Sequence, residues 1–130
     1  MTQHHGDLRV LICEDEYLLA SDLATELSSR GVNVVGVMGR VSEIKTAMES
    51  PDFAANAVVL DVQLLDGMAL DLVAPLLAKG VAVVLCSGYG TRDLPPEFAH
   101  LPSVGKPTDT DQLLAALARF DRPHDTITAP

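Results

Sequence analysis

The chain has 130 residues, 48% of them apolar, which is enough for one domain with a real core and too few for two comfortable ones. A formal net charge of −9 and a pI of 4.6 repel nucleic-acid phosphates and anionic membrane surfaces, so neither nucleic acid nor membrane is expected as a partner. No run approaches the ~20 apolar residues of a membrane span, and the opening "MTQHHGDLRV" lacks a signal peptide's basic and apolar regions, so a cytoplasmic location is expected.

Residues 1–7 are polar and read as a flexible lead. "LRVLIC" (8–13) is a short apolar run, and "YLLASDLATELSSRG" (17–31) carries Leu18, Leu19, Leu23 and Leu27 at helical spacing and stops at Gly31. "VNVVGVM" (32–38) is β-branched and strand-like, and "SEIKTAMES" (42–50) reads as a helix with Ser42 as its N-cap and Pro51 beyond its end. "AVVLD" (57–61) is a third strand, "MALDLVAPLLAKG" (68–80) a third helix, and "VAVVLCS" (81–87) a fourth strand. Pro75 removes a backbone bond to Asp71 and predicts a bend in that helix. In "GYGTRDLPPEFAH" (88–100) the periodicity fails, because Pro95 and Pro96 leave room for at most a turn or two of helix. "SVGK" (103–106) is a short fifth strand, and "TDQLLAALARF" (110–120) a last amphipathic helix capped by Asp109 or Thr110, with Leu113, Leu114, Leu117 and Phe120 as its core stripe. The residues from 121 to 130 are polar and read as a flexible tail. Cys13 and Cys86 fall inside apolar runs without a CxxC spacing, so both read as reduced core thiols.

Alternating strands and helices imply an α/β fold with a parallel sheet, right-handed crossovers and helices on both faces. Ligands bind such sheets outside the carboxyl ends of the strands. That edge gathers Glu14, Asp15 and Glu16 after the first strand, Asp61 after the third, Ser87 after the fourth and Lys106 after the fifth. Carboxylates at ~4 Å repel by about 4 kcal/mol per pair at an effective dielectric of ~20, a cost that a divalent cation removes. Oxygen-only donors suit Mg²⁺, for which Mn²⁺ can substitute. An Asp nucleophile, such a cation, a lysine and a hydroxyl are the parts that phosphoryl transfer requires.

The motifs "LICEDE", "VVLDVQLLDG", "LCSGYG" and "GKP", in that order over residues 8–120, resemble a bacterial two-component response-regulator receiver domain. The resemblance implies a flavodoxin-like (βα)5 fold, doubly wound and three-layered, with a five-stranded parallel sheet of order 2-1-3-4-5. It implies that Asp61 accepts a phosphoryl group from a sensor histidine kinase or phosphotransfer protein. By the same resemblance Glu14, Asp15, Asp61 and the carbonyl of Gln63 hold Mg²⁺, Ser87 bonds a phosphate oxygen, Lys106 pairs with the phosphate, and the Lys106–Pro107 peptide is cis. "LCSGYG", the proline in the third helix and a weak fourth helix are similar to the FATGUY subgroup of single-domain receivers. Two positions depart from the wider family: Ser103 stands where an aromatic switch residue is usual, and Thr108 where an aromatic often follows Lys-Pro. Ordering of 88–100 upon phosphorylation, with Tyr89 as a candidate contact, is the expected substitute for the aromatic switch.

Each residue has a competing reading. Glu14 and Asp15 could serve the dipole of the following helix, as Glu16 is read to do; Ser87 could be turn chemistry, Asp61 a strand end and Lys106 a solvated lysine. His4, His5, His100 and His124 have no ligand-like spacing. A phosphatase of the haloacid dehalogenase type needs a second acid where Gln63 stands, and a flavodoxin-like carrier needs a Ser/Thr-rich phosphate loop where "CEDE" would repel FMN. The expected activity is therefore not enzymatic turnover but a switch that catalyses only its own phosphoryl transfer and dephosphorylation. With no output domain after residue 120, the effect is expected to pass through another protein. The division between phosphate sink and adaptor stays open, as do an adaptor that signals by binding without phosphorylation and a phosphorylation-dependent dimer.

Overall fold

The computed structural model describes residues 7–88 and 94–119. Three apolar runs form the middle of the sheet: β1 (Arg9–Cys13), β3 (Ala57–Asp61) and β6 (Ala82–Ser87). All of β3 is buried, and only the first residue of β1 and of β6 is not. Continuous burial follows from helices covering both faces. The edges are weaker strands. On one side β2 (Asn33–Met38) alternates exposed and half-buried residues; on the other β7 (Ser103–Gly105) has three residues. A two-residue hairpin, β4 (Gln63–Leu64) and β5 (Gly67–Met68), lies outside the sheet. The parallel sheet runs β2-β1-β3-β6-β7, which is the order 2-1-3-4-5 once the hairpin is set aside.

Two apolar clusters separate the faces. On one, α1 (Tyr17–Ser29) and α4 (Thr110–Ala118) place Ala20, Leu27, Leu113 and Leu117 on Val10, Ile12, Val59 and Val84. On the other, α2 (Val41–Glu49) and α3 (Val73–Ala78) place Ile44, Met48, Val73 and Leu76 on Leu11, Val58, Val83 and Leu85. The result is a three-layer doubly wound sandwich. Cys13 and Cys86 are free and buried, one in each cluster and so on opposite faces of the sheet.

Several local expectations change. In α1 the stripe on the sheet is Ala20, Leu23, Ala24 and Leu27, whereas Leu18 and Leu19 are 76% and 47% exposed. Leu18 lies roughly opposite Leu27 at ~100° per residue, so helical spacing alone does not bring it inward. Gly31, at φ 90, ends that helix as expected, since the left-handed conformation is free of Cβ strain only in glycine. Helix α2 starts one residue before Ser42, which is therefore inside it rather than its N-cap. The third helix is shorter than 68–80: Met68 belongs to the hairpin, Leu70–Leu72 form a 3-10 turn, and α3 begins at Val73. Pro75 accordingly occupies the first turn of α3, where its missing N–H leaves no intrahelical bond unmade, and no bend is required. Residues 96–98 form a 3-10 turn, so the fourth crossover holds a single turn among the described residues, and Asp109 caps α4 by accepting from the N–H groups of Asp111 and Gln112. Residues 1–6, Tyr89 and Phe120 lie outside the described residues, as do His4, His5, His124 and the tail from 121.

Leu76→Ala, which empties a fully buried site, is expected to cost ~2–5 kcal/mol in chemical denaturation. Leu18→Ala should stay within about 0.5 kcal/mol of the parent.

Candidate functional site

Parallel register sets the geometry of the carboxyl edge. Cys13 stands opposite Leu60, and Asp61 opposite Cys86, so β1, β3 and β6 finish nearly level. The residues that end or follow them are Glu14, Asp61 and Ser87. Asp61 and Ser87 are 5% and 6% exposed, although both are polar. Lys106 follows β7, and its bond to Pro107 is cis, as the resemblance implies.

Lys106 Nζ donates to Asp61 Oδ2 at 2.5 Å and to Glu14 Oε1 at 3.0 Å. Glu14 Oε2 accepts from the Glu16 N–H at 3.0 Å, and Asp61 Oδ1 accepts from the Gln63 N–H at 3.3 Å. Both carboxylates are thus held by one cation and one backbone donor each. One carboxylate oxygen from each of Glu14, Asp15 and Asp61 lies within 4.8 Å of the other two. One ammonium cannot neutralise three carboxylates at that spacing. Glu14 registers the excess: desolvation raises its pKa, and Asp15 and Asp61 raise it further, against the opposing pull of the Glu16 N–H and Lys106. Lys106 is shifted upward in turn; burial acts against its charge, but Asp61 and Glu14 more than compensate. Beneath them burial pushes the Cys86 thiol up to about 12, even though Thr108 bonds to it, so at neutral pH it is an inert core group.

The donor set fits Mg²⁺ or Mn²⁺. It is all oxygen, and its uncompensated negative charge is what a hard divalent cation binds. A cavity of about 270 Å³ adjoins it, lined by Glu14, Leu19, Asp22, Lys106 and Thr108, between α1 and the segment after β7. The structure therefore brings Glu14, Asp15, Asp61 and Lys106 together and puts Ser87 and Gln63 on the adjoining strand end and loop. Ser103 lies in β7, so no aromatic occupies that position. Tyr89 is outside the described residues. Sequence reasoning passed over Asp66, whose Asp-Gly step is a turn signal but gives no hint of a partner 25 residues away.

A doubly wound 2-1-3-4-5 sheet with an acid-lined carboxyl edge defines the flavodoxin-like receiver fold, and solved receiver structures superpose on the chain accordingly. The response-regulator receiver domain of PhyR from Erythrobacter litoralis matches with a TM-score of 0.73 and 26% identity, over 88% of this chain and 89% of that one. SdrG from Pseudomonas melonis Fr1, in a BeF3-activated conformation, matches with a TM-score of 0.73 and 28% identity, over 86% and 94% of the two chains. Among curated proteins, the phyllosphere-induced regulator PhyR of Methylorubrum extorquens is 35% identical over 116 residues, 85% of this chain. The chain spans 42% of that relative's length. No family model matches the chain. Response regulators and their receiver domains are thus among its structural neighbours.

Lys106→Met removes the only cation paired with Asp61 and Glu14 among the described residues. Carboxyl NMR titration in metal-free buffer should then show the Glu14 pKa moving further up, because the Lys106 ammonium that opposes the shift is gone.

Proposed function

We propose that the chain is the receiver of a two-component phosphorelay, with Asp61 as the phosphoacceptor. The observation that carries this reading is the Lys106 ammonium bridging Asp61 and Glu14 beside Asp15, at the strand ends of a receiver fold. Asp61 is hydrogen-bonded on both oxygens, so its carboxylate is fixed in orientation before any donor arrives.

Asp61 attacks the phosphorus of a kinase or phosphotransfer-protein phosphohistidine. The new Asp61 O–P bond forms as the P–N bond breaks, and the imidazole leaves. With a small donor such as acetyl phosphate the leaving group is acetate. Glu14, Asp15, Asp61 and the Gln63 carbonyl would hold Mg²⁺, which supplies charge neutralisation on the transferring oxygens. Lys106, released from Asp61, pairs with a phosphoryl oxygen, and the Ser87 hydroxyl donates to another. Water later attacks the acyl phosphate and regenerates the carboxylate. The domain catalyses these steps on itself alone, as a switch and not as an enzyme with an external substrate.

Phosphorylation adds negative charge at a buried strand end, and Ser87 moving onto it would reshape the loop after β6. With Ser103 in place of an aromatic, that loop is the readout, passed on through contacts with a target protein. The short 3-10 turn at Pro96–Phe98 and Pro75 in α3 support placement in the FATGUY subgroup. The similarity to PhyR and SdrG supports response-regulator signalling at large.

Incubation with Mg²⁺ and phosphoramidate, followed by intact-mass measurement, should add one phosphoryl group to the parent and none to Asp61→Asn. A phosphoryl group on Asp61→Asn would move the acceptor elsewhere. Lys106→Ala should still bind Mg²⁺ but lose the phosphorylation-dependent change in the loop after β6, measured by amide exchange; a loop response equal to the parent's would make Lys106 purely structural.

A further inference from the structure

The β2–α2 corner touches both loops that carry the acidic cluster. Toward the first strand, the Glu14 N–H donates to Met38 O at 2.9 Å, and a Cβ on Gly39 would stand 3.4 Å from Glu14 O and 3.6 Å from Asp15 Cα. Toward the third, the Leu65 N–H donates to Gly39 O at 3.0 Å. Asp66 completes the contact: Oδ1 accepts from the Val41 N–H at 2.5 Å and Oδ2 from the Ser42 N–H at 3.1 Å. Arg40, the N-cap of α2, makes no side-chain cap bond, so α2 is capped from across space by a residue of the phosphoacceptor loop.

That loop is closed at both ends. At its base Val62 N–H donates to Cys86 O at 3.0 Å, and Ala69 N–H to Val62 O at 2.7 Å. At its tip Leu65 and Asp66 make the hairpin turn, and Gly67, at φ +144, takes a backbone conformation that other residues resist. Gln63 sits between base and tip, with its N–H on Asp61. The hydrogen bonds that hold Asp66 also depress its carboxyl pKa; desolvation opposes this, but the Val41 and Ser42 N–H groups outweigh it.

We infer that Asp66 is a positioning residue: its carboxylate clasps the phosphoacceptor loop to α2 and thereby fixes the main chain of Gln63 relative to Glu14 and Asp15. The inference rests on the receiver reading of the site and adds α2 to it as a brace. Because coupling is reciprocal, a cation held at the cluster also steadies the first turn of α2.

The experiment compares the parent with Asp66→Ala, Asp66→Asn and Ile44→Val. Ile44 is fully buried on α2, so Ile44→Val lowers stability without touching the clasp. Mg²⁺ titration of metal-stripped protein should show affinity about tenfold weaker in Asp66→Ala, the lower end of what is lost when a group orienting metal ligands is removed. Asp66→Asn keeps one acceptor oxygen and should recover part of it. Ile44→Val should lower the melting temperature and leave Mg²⁺ affinity unchanged. In metal-free protein the Val41 and Ser42 amides should exchange faster in Asp66→Ala. Parental Mg²⁺ affinity in Asp66→Ala would reduce Asp66 to a helix cap, and equal weakening in Ile44→Val would make the effect one of general stability; either overturns the inference and leaves the receiver reading intact. A parent that neither binds Mg²⁺ nor gains a phosphoryl group would overturn the receiver reading and this inference with it.

Discussion

Among the described residues one ammonium faces three carboxylates at the carboxyl edge of the sheet, and the rest of the site is organised by that imbalance. Lys106 reaches both Asp61 and Glu14, yet Asp15 shares the same space and Glu14 remains harder to ionise than an ordinary glutamate. A fold selected for stability alone would place an apolar side chain or a second cation there, since buried charges are seldom a net gain. On the function proposed above, the unbalanced cluster is a poised site that a divalent cation and a phosphoryl group would complete.

The scaffold makes the poise possible. Level strand ends arise from parallel register through β1, β3 and β6, whose apolar side chains are locked on both faces. The loops after β1 and β3 then leave the sheet side by side and are tied back by main-chain hydrogen bonds: Glu14 to Met38 from the first, Val62 to Cys86 and Leu65 to Gly39 from the second. Rigid strands hold Asp61 and Ser87 in place, whereas the loop after β3 is held in part by the Asp66 carboxylate, which a substitution can remove. The Asp66 clasp extends the site to α2, on the face of the sheet away from α1 and α4.

Much of the fold was legible because its signals are local. The mainly apolar runs within 8–13, 57–61 and 81–87 mark the central strands, Gly31 marks a helix end, and Pro95 with Pro96 leaves room for only a turn or two of fourth helix. Asp61, Glu14, Asp15 and Lys106 were legible as candidates because strand ends converge by topology. What the sequence concealed depended on long-range packing. Leu18 and Leu19 sit at helical spacing from Leu23 and Leu27, but only a tertiary contact decides which stripe faces the sheet. Met68 is compatible with a helix and was claimed by the hairpin, because Asp66-Gly67 turns the chain just before it. Ser42 resembles an N-cap in sequence; the real cap of α2 comes from Asp66, far along the chain, and no local pattern announces it.

The function proposed above requires the Glu14, Asp15, Asp61 and Lys106 cluster to take a divalent cation. Mg²⁺ titration of metal-stripped protein, followed residue by residue through backbone amide shifts, tests it most directly. A saturable response centred on residues 14–15, 61–63 and 106, and lost in Asp15→Asn, is the predicted result. Weak shifts scattered over the acidic surface, without saturation and unchanged in Asp15→Asn, would contradict it.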